Sequence, residues 1–254
     1  MTQRFDDKLV LITGAAGGMG LALAQRFAGE GARLLLTDVD AAGLDRAVAT
    51  LREAGAQCSA QRVDLSVADE IAGFAAGVCA EHAQLDVLIN NAGLAYGEVA
   101  HGFAELSQEK WLRFFNVNTV APLLLAQALR PALAKAPGVV LNVTSMASYA
   151  PATAYGVTKA ALNAMTYGMA TVFGADGIRV NGIAPGLMET PASRASLPPG
   201  VYERIQGQQL LGQLHGSADD IAALAAFLAS DDARFITNET ILCDAGNRLR
   251  GWRG

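Results

Sequence analysis

Residues 9–29 read LVLITGAAGGMGLALAQRFAG, and this stretch decides the fold. Its first five residues, Leu9 to Thr13, form an apolar run that predicts a buried strand. A turn with four glycines follows, and the amphipathic run from Met19 to Gly29 predicts a helix. Glycines between a strand and a helix permit a tight turn and let backbone N–H groups approach a phosphate at the helix N-terminus. The stretch therefore predicts a strand, a turn and a helix that can hold a pyrophosphate.

The same alternation of short apolar runs and longer amphipathic segments continues along the chain. The predicted strands are Leu9–Thr13, Arg33–Thr37, Gln57–Val63, Val87–Asn90, Val139–Thr144, Arg179–Ile183 and Thr240–Cys243. The predicted helices are Met19–Gly29, Ala41–Ala54, Val67–His82, Ser107–Ala134, Ala152–Phe173 and Ala218–Ala229. This order demands a parallel sheet with helices on both faces, so we expect an α/β fold with a Rossmann-like doubly wound sheet of about seven strands. No linker or repeat divides the sequence, and a single domain over residues 1–254 is expected.

One segment, at about residues 187–216, interrupts the alternation. It contains Pro191, Pro198 and Pro199, and it has a helical pattern only from about Val201 to Leu211. In an open α/β sheet, ligands bind beyond the carboxyl ends of the strands, and an insertion after the sixth strand lies at that end. We interpret the segment as a substrate lid, with a plain surface excursion as the alternative.

The composition excludes several classes of function. A formal net charge of −5 gives no electrostatic basis for binding nucleic acid or an anionic membrane. The three histidines lack metal-ligand spacing, so no metal site is predicted. The three cysteines are widely spaced and predict free thiols in a reducing compartment. The sequence also lacks the run of about 18 apolar residues that a transmembrane helix needs. The expected location is the cytoplasm.

Tyr155 and Lys159 are the strongest candidates for chemistry. Their spacing is common by chance, but it puts both side chains on one face of the predicted helix Ala152–Phe173. A reaction that moves a proton needs a general acid in one direction and a general base in the other. A phenol has a reference pKa of about 10, too high for a base at neutral pH, and a nearby ammonium favours the phenolate.

Several motifs occur together in one order: TGxxxGxG from Thr13, Asn90-Asn91-Ala92-Gly93, Ser145, the Tyr155/Lys159 pair, and PGxxxT from Pro185. From about Lys8 to Gly246 the chain resembles the short-chain dehydrogenase/reductase family, classical type. The resemblance implies a nicotinamide cofactor. The residues implied to hold it are Gly14, Gly18, Met19, Gly20, Asp38, Asp64, Leu65, Asn90, Ala92, Gly93, Tyr155, Lys159, Ile183, Pro185, Gly186 and Thr190.

The resemblance also implies roles at the chemical end. Ser145 matches the serine that hydrogen-bonds the substrate oxygen, and Asn118 matches the asparagine that anchors a water in the proton relay. Ser145 precedes Tyr155 by ten residues, about three fewer than the family usually has, so Ser148 is kept as the alternative. The expected walls of the substrate pocket, which could equally be packing residues of the lid, are Leu94, Tyr96, Tyr149, Leu187 and Met188.

We therefore expect an NAD-dependent oxidoreductase that transfers a hydride between the nicotinamide and a secondary alcohol or ketone, with Tyr155 as general acid and base. Asp38, 18 residues after Gly20, would accept a hydrogen bond from the ribose 2′-hydroxyl of NAD. No basic residue occurs in Ala15–Met19 or at Val39 to hold the phosphate of NADP. The alternatives are an NADPH-dependent 3-ketoacyl-type reductase and a catalytically silent dinucleotide-sensing protein. The expected partners are a small-molecule alcohol or ketone and further copies of the chain in a homotetramer.

Overall fold

The computed structural model describes residues 3–94, 103, 106–189, 197 and 199–247. Its strands are β1 (Leu9–Thr13), β2 (Arg33–Asp38), β3 (Cys58–Arg62), β4 (Val87–Asn90), β5 (Val139–Val143), β6 (Arg179–Pro185) and β7 (Thr240–Cys243). They form one parallel sheet in the order β3-β2-β1-β4-β5-β6-β7, which confirms the predicted architecture. The strand order reverses between β1 and β4, and ligands of such sheets bind at the carboxyl side of that reversal.

Helices cover both faces of the sheet. They are α1 (Gly18–Gly29), α2 (Ala41–Glu53), α3 (Ala68–Glu81), α4 (Gln108–Phe115), α5 (Ala121–Leu133), α6 (Ala154–Phe173), α7 (Val201–Gln206) and α8 (Ala218–Ala229). Val10 and Ile12 of β1 face a core formed with α1, α2 and α8, whereas Leu9 and Leu11 face a core formed with α3, α5 and α6. Successive side chains of a strand point to opposite faces, so a continuous apolar strand supplies both cores.

The predicted helix Ser107–Ala134 is helical without interruption from Gln108 to Leu133, but it is not regular. The structure has α4, then a wider π-helical turn at Asn116–Val120, then α5. Pro122 explains the wider turn, because it has no N–H to donate to the carbonyl of Asn118 and its ring crowds that carbonyl. The N–H of Ala121 donates instead to the carbonyl of Asn116, five residues earlier.

Two further helix boundaries differ from the prediction by two residues or more. The helix expected from Val201 to Leu211 ends at Gln206, because the N–H groups of Leu210 and Leu211 donate to the carbonyl of Ala245. At the start of α6, the Thr153 side chain accepts a hydrogen bond from the N–H of Gly156, so the helix begins at Ala154. Within the described ranges, no helix is both long and apolar enough to cross a bilayer.

Candidate active site

A cleft opens at the carboxyl ends of β1 to β4, where the strand order reverses. Its wall combines glycine-rich backbone, two carboxylates and one guanidinium. The lining residues are Gly14, Asp38, Val39, Val63, Asp64, Leu65, Ser66, Asn91, Ala92, Gly93, Leu94, Arg113 and Val117. The structure thus brings predicted cofactor residues from four strand ends into one cleft.

The glycines of the turn have different physical roles. A Cβ at Gly20 would lie 1.9 Å from the carbonyl oxygen of Gly14, so Gly20 lets α1 approach the turn closely. Gly18 has a φ of +53° and open space where a Cβ would be. Among the described residues, no side chain caps α1, and its first turn holds no acidic residue. The N–H groups at the start of α1 are therefore suited to an anion.

Asn91 connects the turn to the end of β4. Its Nδ2 donates to the carbonyl oxygens of Thr13 (2.9 Å) and Gly14 (3.0 Å). The hydroxyl of Thr13 in turn accepts from the N–H groups of Asn91 (3.1 Å) and Ala92 (3.0 Å). The predicted set included Asn90 rather than Asn91. The structure places the Asn90 side chain inside the sheet, where Nδ2 donates to Oδ1 of Asn142 at 2.9 Å.

Two carboxylates are held at the edge of the cleft. One oxygen of Asp38 accepts from the N–H of Ala16 and the other from the N–H of Asp40, both at 3.0 Å. Asp64 accepts from the hydroxyl and the N–H of Ser66 at 2.7 and 2.9 Å. The hydroxyl of Ser66 chiefly lowers the pKa of Asp64, with further lowering from nearby cations including Arg113. Both groups therefore present fixed negative charge to the cleft.

Lys159 is fully buried beside Tyr155. Only 3% of Lys159 is exposed, and its Nζ donates to the carbonyl oxygen of Val143 at 2.7 Å. The same Nζ lies 5.8 Å from the centre of the half-buried Tyr155 ring. Burial lowers the pKa of the Lys159 ammonium from 10.5 to about 8. The helix spacing read from the sequence therefore places a buried cation next to the phenol.

Asn118 lies on the π-helical turn and faces the same region. Its Oδ1 accepts from the N–H of Leu94 at 2.7 Å, and its Nδ2 donates to Oγ1 of Thr158 at 3.1 Å. A Cβ on Gly93 would lie 3.2 Å from Oδ1 of Asn118 and 3.3 Å from Nζ of Lys159. Gly93, Asn118 and Lys159 therefore converge on one point, where a side chain at position 93 would crowd the Asn118 amide and the Lys159 ammonium.

Ser145 and Ser148 are bonded differently in the loop before α6. Oγ of Ser145 accepts from the N–H of Ala147 at 3.1 Å and begins a 3₁₀ helix at Met146–Tyr149. The Ser148 hydroxyl donates to the carbonyl of Ser145 at 2.6 Å and accepts from Nδ2 of Asn163 at 2.8 Å. The Ser148 hydroxyl thus donates within the loop and accepts from α6. The hydroxyl proton of Ser145 has no acceptor within the described part of the chain, which favours Ser145 as the donor to a substrate.

Three more of the predicted cofactor residues, Ile183, Pro185 and Gly186, lie at the end of β6 and do not line the cleft. The carbonyl of Ile183 accepts from the N–H of Thr144 at 2.7 Å, and Pro185 pairs with Cys243 of β7. A Cβ on Gly186 would lie 2.5 Å from Cα of Asp244, so only glycine fits against this neighbour. Thr190 lies outside the described residues.

The predicted pocket walls divide into three environments. Leu94 packs in one apolar cluster with Tyr155 and borders the cleft. Leu187 packs with Tyr202 of α7, as a lid residue would, whereas Met188 packs into the core shared by α1 and α8. The Tyr149 hydroxyl lies 3.4 Å from the carbonyl of Thr240 on the edge strand. Tyr96 and residues 190–196 and 198 of the insertion lie outside the described residues.

Similar proteins match nearly the full length of the chain. A family model described as enoyl-(acyl carrier protein) reductase matches residues 14–248. The 2,5-dichloro-2,5-cyclohexadiene-1,4-diol dehydrogenase LinX of Sphingobium indicum is 36% identical over 250 residues, covering 97% of this chain and 98% of that protein.

Two solved structures share the fold and contain a nicotinamide cofactor. The 7α-hydroxysteroid dehydrogenase complexed with NADH and 7-oxo glycochenodeoxycholic acid has a TM-score of 0.88 and 29% identity, with 97% and 96% of the two chains covered. The L-sorbose reductase of Gluconobacter frateurii, complexed with NADPH and L-sorbose, has a TM-score of 0.87 and 27% identity, with 97% and 98% covered. With the family model and these full-length matches, the chain belongs to the short-chain dehydrogenase/reductase family, classical type, and is an oxidoreductase.

Proposed function

We propose that this protein is an NAD(H)-dependent oxidoreductase that transfers a hydride between the nicotinamide and a secondary alcohol or ketone. The observation that carries the proposal is the position of the buried Lys159 beside Tyr155, with Asn118 held at the same point. A bound nicotinamide supplies or accepts the hydride. The protein's own residues bind the cofactor, orient the substrate and move the proton.

In the proposed reaction, Tyr155 exchanges the proton of the substrate hydroxyl. In oxidation its oxygen accepts that proton while the carbinol carbon loses a hydride, and in reduction it returns a proton to the new alkoxide. Ser145 donates a hydrogen bond to the same substrate oxygen, and Asn118 anchors the water that leads the proton away. Lys159 remains largely charged at pH 7, since its pKa is about 8, and a cation favours the phenolate form of a neighbouring tyrosine.

The cleft fits a dinucleotide. The open space at Gly18 and the uncapped start of α1 suit a pyrophosphate, and the cleft continues between Asp38 and Leu65 toward the β2 and β3 ends. We further propose that NAD is preferred over NADP. A phosphate about 4 Å from the Asp38 carboxylate would be repelled by roughly 4 kcal/mol at an effective dielectric of about 20. Even half of this repulsion gives NAD a kcat/KM more than tenfold above that of NADP.

The relatives guide the choice of substrate class. The names of LinX and the hydroxysteroid dehydrogenase both specify an alcohol carried on a ring. Leu94 adds an apolar wall next to Tyr155. Ring-borne secondary alcohols and their ketones are therefore the first substrates to assay.

A turnover panel tests the proposal. Purified protein is given NAD or NADP with ring-borne and open-chain secondary alcohols, and the reduced cofactors with ketones, a 3-ketoacyl thioester and a 2-enoyl thioester. Tyr155→Phe keeps the ring and removes the proton-transfer oxygen, so it should bind NADH normally and lose at least a hundredfold in kcat. Reduction of the enoyl thioester alone would replace the proposal by the activity in the family model's description. NADH binding without turnover of any compound would favour a dinucleotide sensor.

We also propose that the protein assembles as a homotetramer. Small residues along α6, among them Ala164 and Gly168, lie on the exposed side of the helix. Small side chains let two helices approach closely, which suits contact between subunits. Light scattering at micromolar concentration should give four times the chain mass of 26.3 kDa, and a monomer mass would refute the assembly.

A further inference from the structure

We propose that Asn163 is a positioning residue that fixes the catalytic Ser145 through Ser148. The inference rests on the proposed function and extends it to the loop between Ser145 and Tyr155, which has only nine residues. The loop is about three residues shorter than is usual in the family. It lies directly on α6, and Asn163 holds it there.

A chain of three hydrogen bonds connects Asn163 to Ser145. Nδ2 of Asn163 donates to Oγ of Ser148 at 2.8 Å, and Oγ of Ser148 donates to the carbonyl of Ser145 at 2.6 Å. The N–H of Ser148 also donates to that carbonyl at 3.0 Å. Ser145 and Ser148 are each 8% exposed, as is Asn163, so the chain is shielded from water. Its effect is to fix the backbone from which the Ser145 hydroxyl projects.

The loop also touches α6 closely at a second point. A Cβ on Gly156 would lie 2.9 Å from the carbonyl oxygen of Ala147 and 3.0 Å from Cα of Pro151. Gly156 and Asn163 are seven residues apart, which places them on one face of the helix, about two turns from each other. The loop is therefore held at two points on the helix that also carries Tyr155 and Lys159. The proton-transfer residue and the substrate-orienting serine share one rigid support.

Asn163 is poorly suited to a purely stabilising role. Its Oδ1 is buried and has no hydrogen-bond partner within the described part of the chain. A buried acceptor without a partner lowers the stability of the folded state. The stability gained from the Nδ2 hydrogen bond is therefore partly cancelled by the cost of burying Oδ1. Leu has nearly the same shape and no such acceptor. If Asn163 served stability alone, Asn163→Leu would change only the urea midpoint and would leave kcat and KM as in the wild type.

The expected effect falls on the chemical step. Without Asn163, the Ser148 hydroxyl still bonds the Ser145 carbonyl, but the 3₁₀ turn is no longer attached to α6 at that end. Displacement of a reacting group by about 1 Å can cost about a hundredfold in rate. We expect Asn163→Leu to lower kcat at least tenfold, while the Kd for NADH changes less than twofold because the cofactor cleft is formed by other strand ends.

A double-mutant cycle tests the path through Ser148. The variants are Asn163→Leu, Ser148→Ala and both together, with kcat, KM, NADH affinity and urea midpoint measured for each. If Asn163 acts through Ser148, the kcat of the double variant should be within about threefold of the kcat of the worse single variant. The matched control is Thr166→Val on the same helix, which removes a buried hydroxyl bonded to Asn142 and should lower the urea midpoint with kcat within about twofold of the wild type.

Three results would overturn the inference. They are unchanged kcat in Asn163→Leu, losses that multiply in the double variant, and a loss of kcat explained by a lower urea midpoint. A wild-type protein without turnover would refute the proposed function instead. The positioning role can then still be measured by hydrogen exchange, because Asn163→Leu should speed exchange at the N–H groups of Ala147 and Ser148, both bonded to Ser145. Unchanged exchange there would refute the positioning role by itself.

Discussion

Replacing Lys159 by Met should stabilise the folded protein while abolishing its proposed activity. The folded state holds the ammonium at a buried site, where its pKa falls from 10.5 to about 8. At about 1.4 kcal/mol per pKa unit, retaining that proton costs the folded state about 3 kcal/mol at pH 7. The hydrogen bond from Nζ to Val143 offsets about 1 kcal/mol of this. Lys159→Met should therefore be about 2 kcal/mol more stable at pH 7.

The sign of the pH dependence follows from proton binding in the two states. Below about pH 8 the folded and unfolded chains both hold the Lys159 proton, and the full cost of burial is present. Between pH 8 and 10.5 the unfolded chain binds more protons than the folded one, so wild-type stability rises with pH through this window. The stability difference between Lys159→Met and the wild type should fall by about 2.5 kcal/mol between pH 7 and pH 10, so that the advantage of about 2 kcal/mol at pH 7 is gone at pH 10.

Urea unfolding of the cofactor-free proteins, followed by circular dichroism at both pH values, measures this difference. Comparison with the wild type cancels the titration of other groups. Lys110→Met serves as the control, because Lys110 is an exposed lysine on α4 and its stability difference should not depend on pH. An Lys159→Met protein that is less stable than the wild type by the same amount at both pH values would refute the argument that burial of this cation costs stability.

Three further outcomes are expected. Ser145→Ala should lower kcat more than Ser148→Ala, and the opposite ranking in steady-state kinetics would transfer the substrate hydrogen bond to Ser148. Asp38→Ala should reduce the preference for NAD, measured as the ratio of kcat/KM for the two cofactors; a wild type that uses NADP equally well would contradict a contact between Asp38 and the ribose. Gly18→Ala should bind NADH at least tenfold more weakly, because its methyl group would enter the open space proposed for the pyrophosphate, and it should lose only about 1 kcal/mol of stability through its φ of +53°. Gly20→Ala should lower the urea midpoint much more, because its methyl group would lie 1.9 Å from a backbone oxygen.

Local pattern was sufficient to predict most of the sheet. β1, β4 and β7 have the predicted bounds, because each is a short apolar run with a clear break at either end. The sequence also located the cleft, since Gly14 and Asp38 directly follow or end predicted strands, and parallel strands bring their carboxyl ends to one edge.

The missed features depend on contacts between distant segments. Asn90 and Asn91 are identical residue types, and only the pleat of β4 decides which amide reaches the glycine turn and which enters the sheet. Arg113 lines the cleft from α4. It is far in sequence from Ala15–Met19 and Val39, the positions at which a basic residue for the phosphate was expected. The helical pattern of the sequence is continuous across Asn118 and does not predict the π-helical turn there, although Pro122 is a local indication of it.

The hydrogen bond from the N–H of Ala16 to Asp38 ties the shape of the glycine turn to the side chain on which the proposed preference for NAD depends. An engineer who wants an NADP-dependent form would remove the Asp38 carboxylate, and the N–H of Ala16 would then lose its acceptor. Asp38→Asn retains one oxygen for Ala16 and removes the charge, although it can no longer serve Asp40 as well. A basic residue at position 39, where Val39 is 57% exposed at the edge of the cleft, could then meet the phosphate. Redesign at these two adjacent positions should preserve the turn better than the truncation Asp38→Ala.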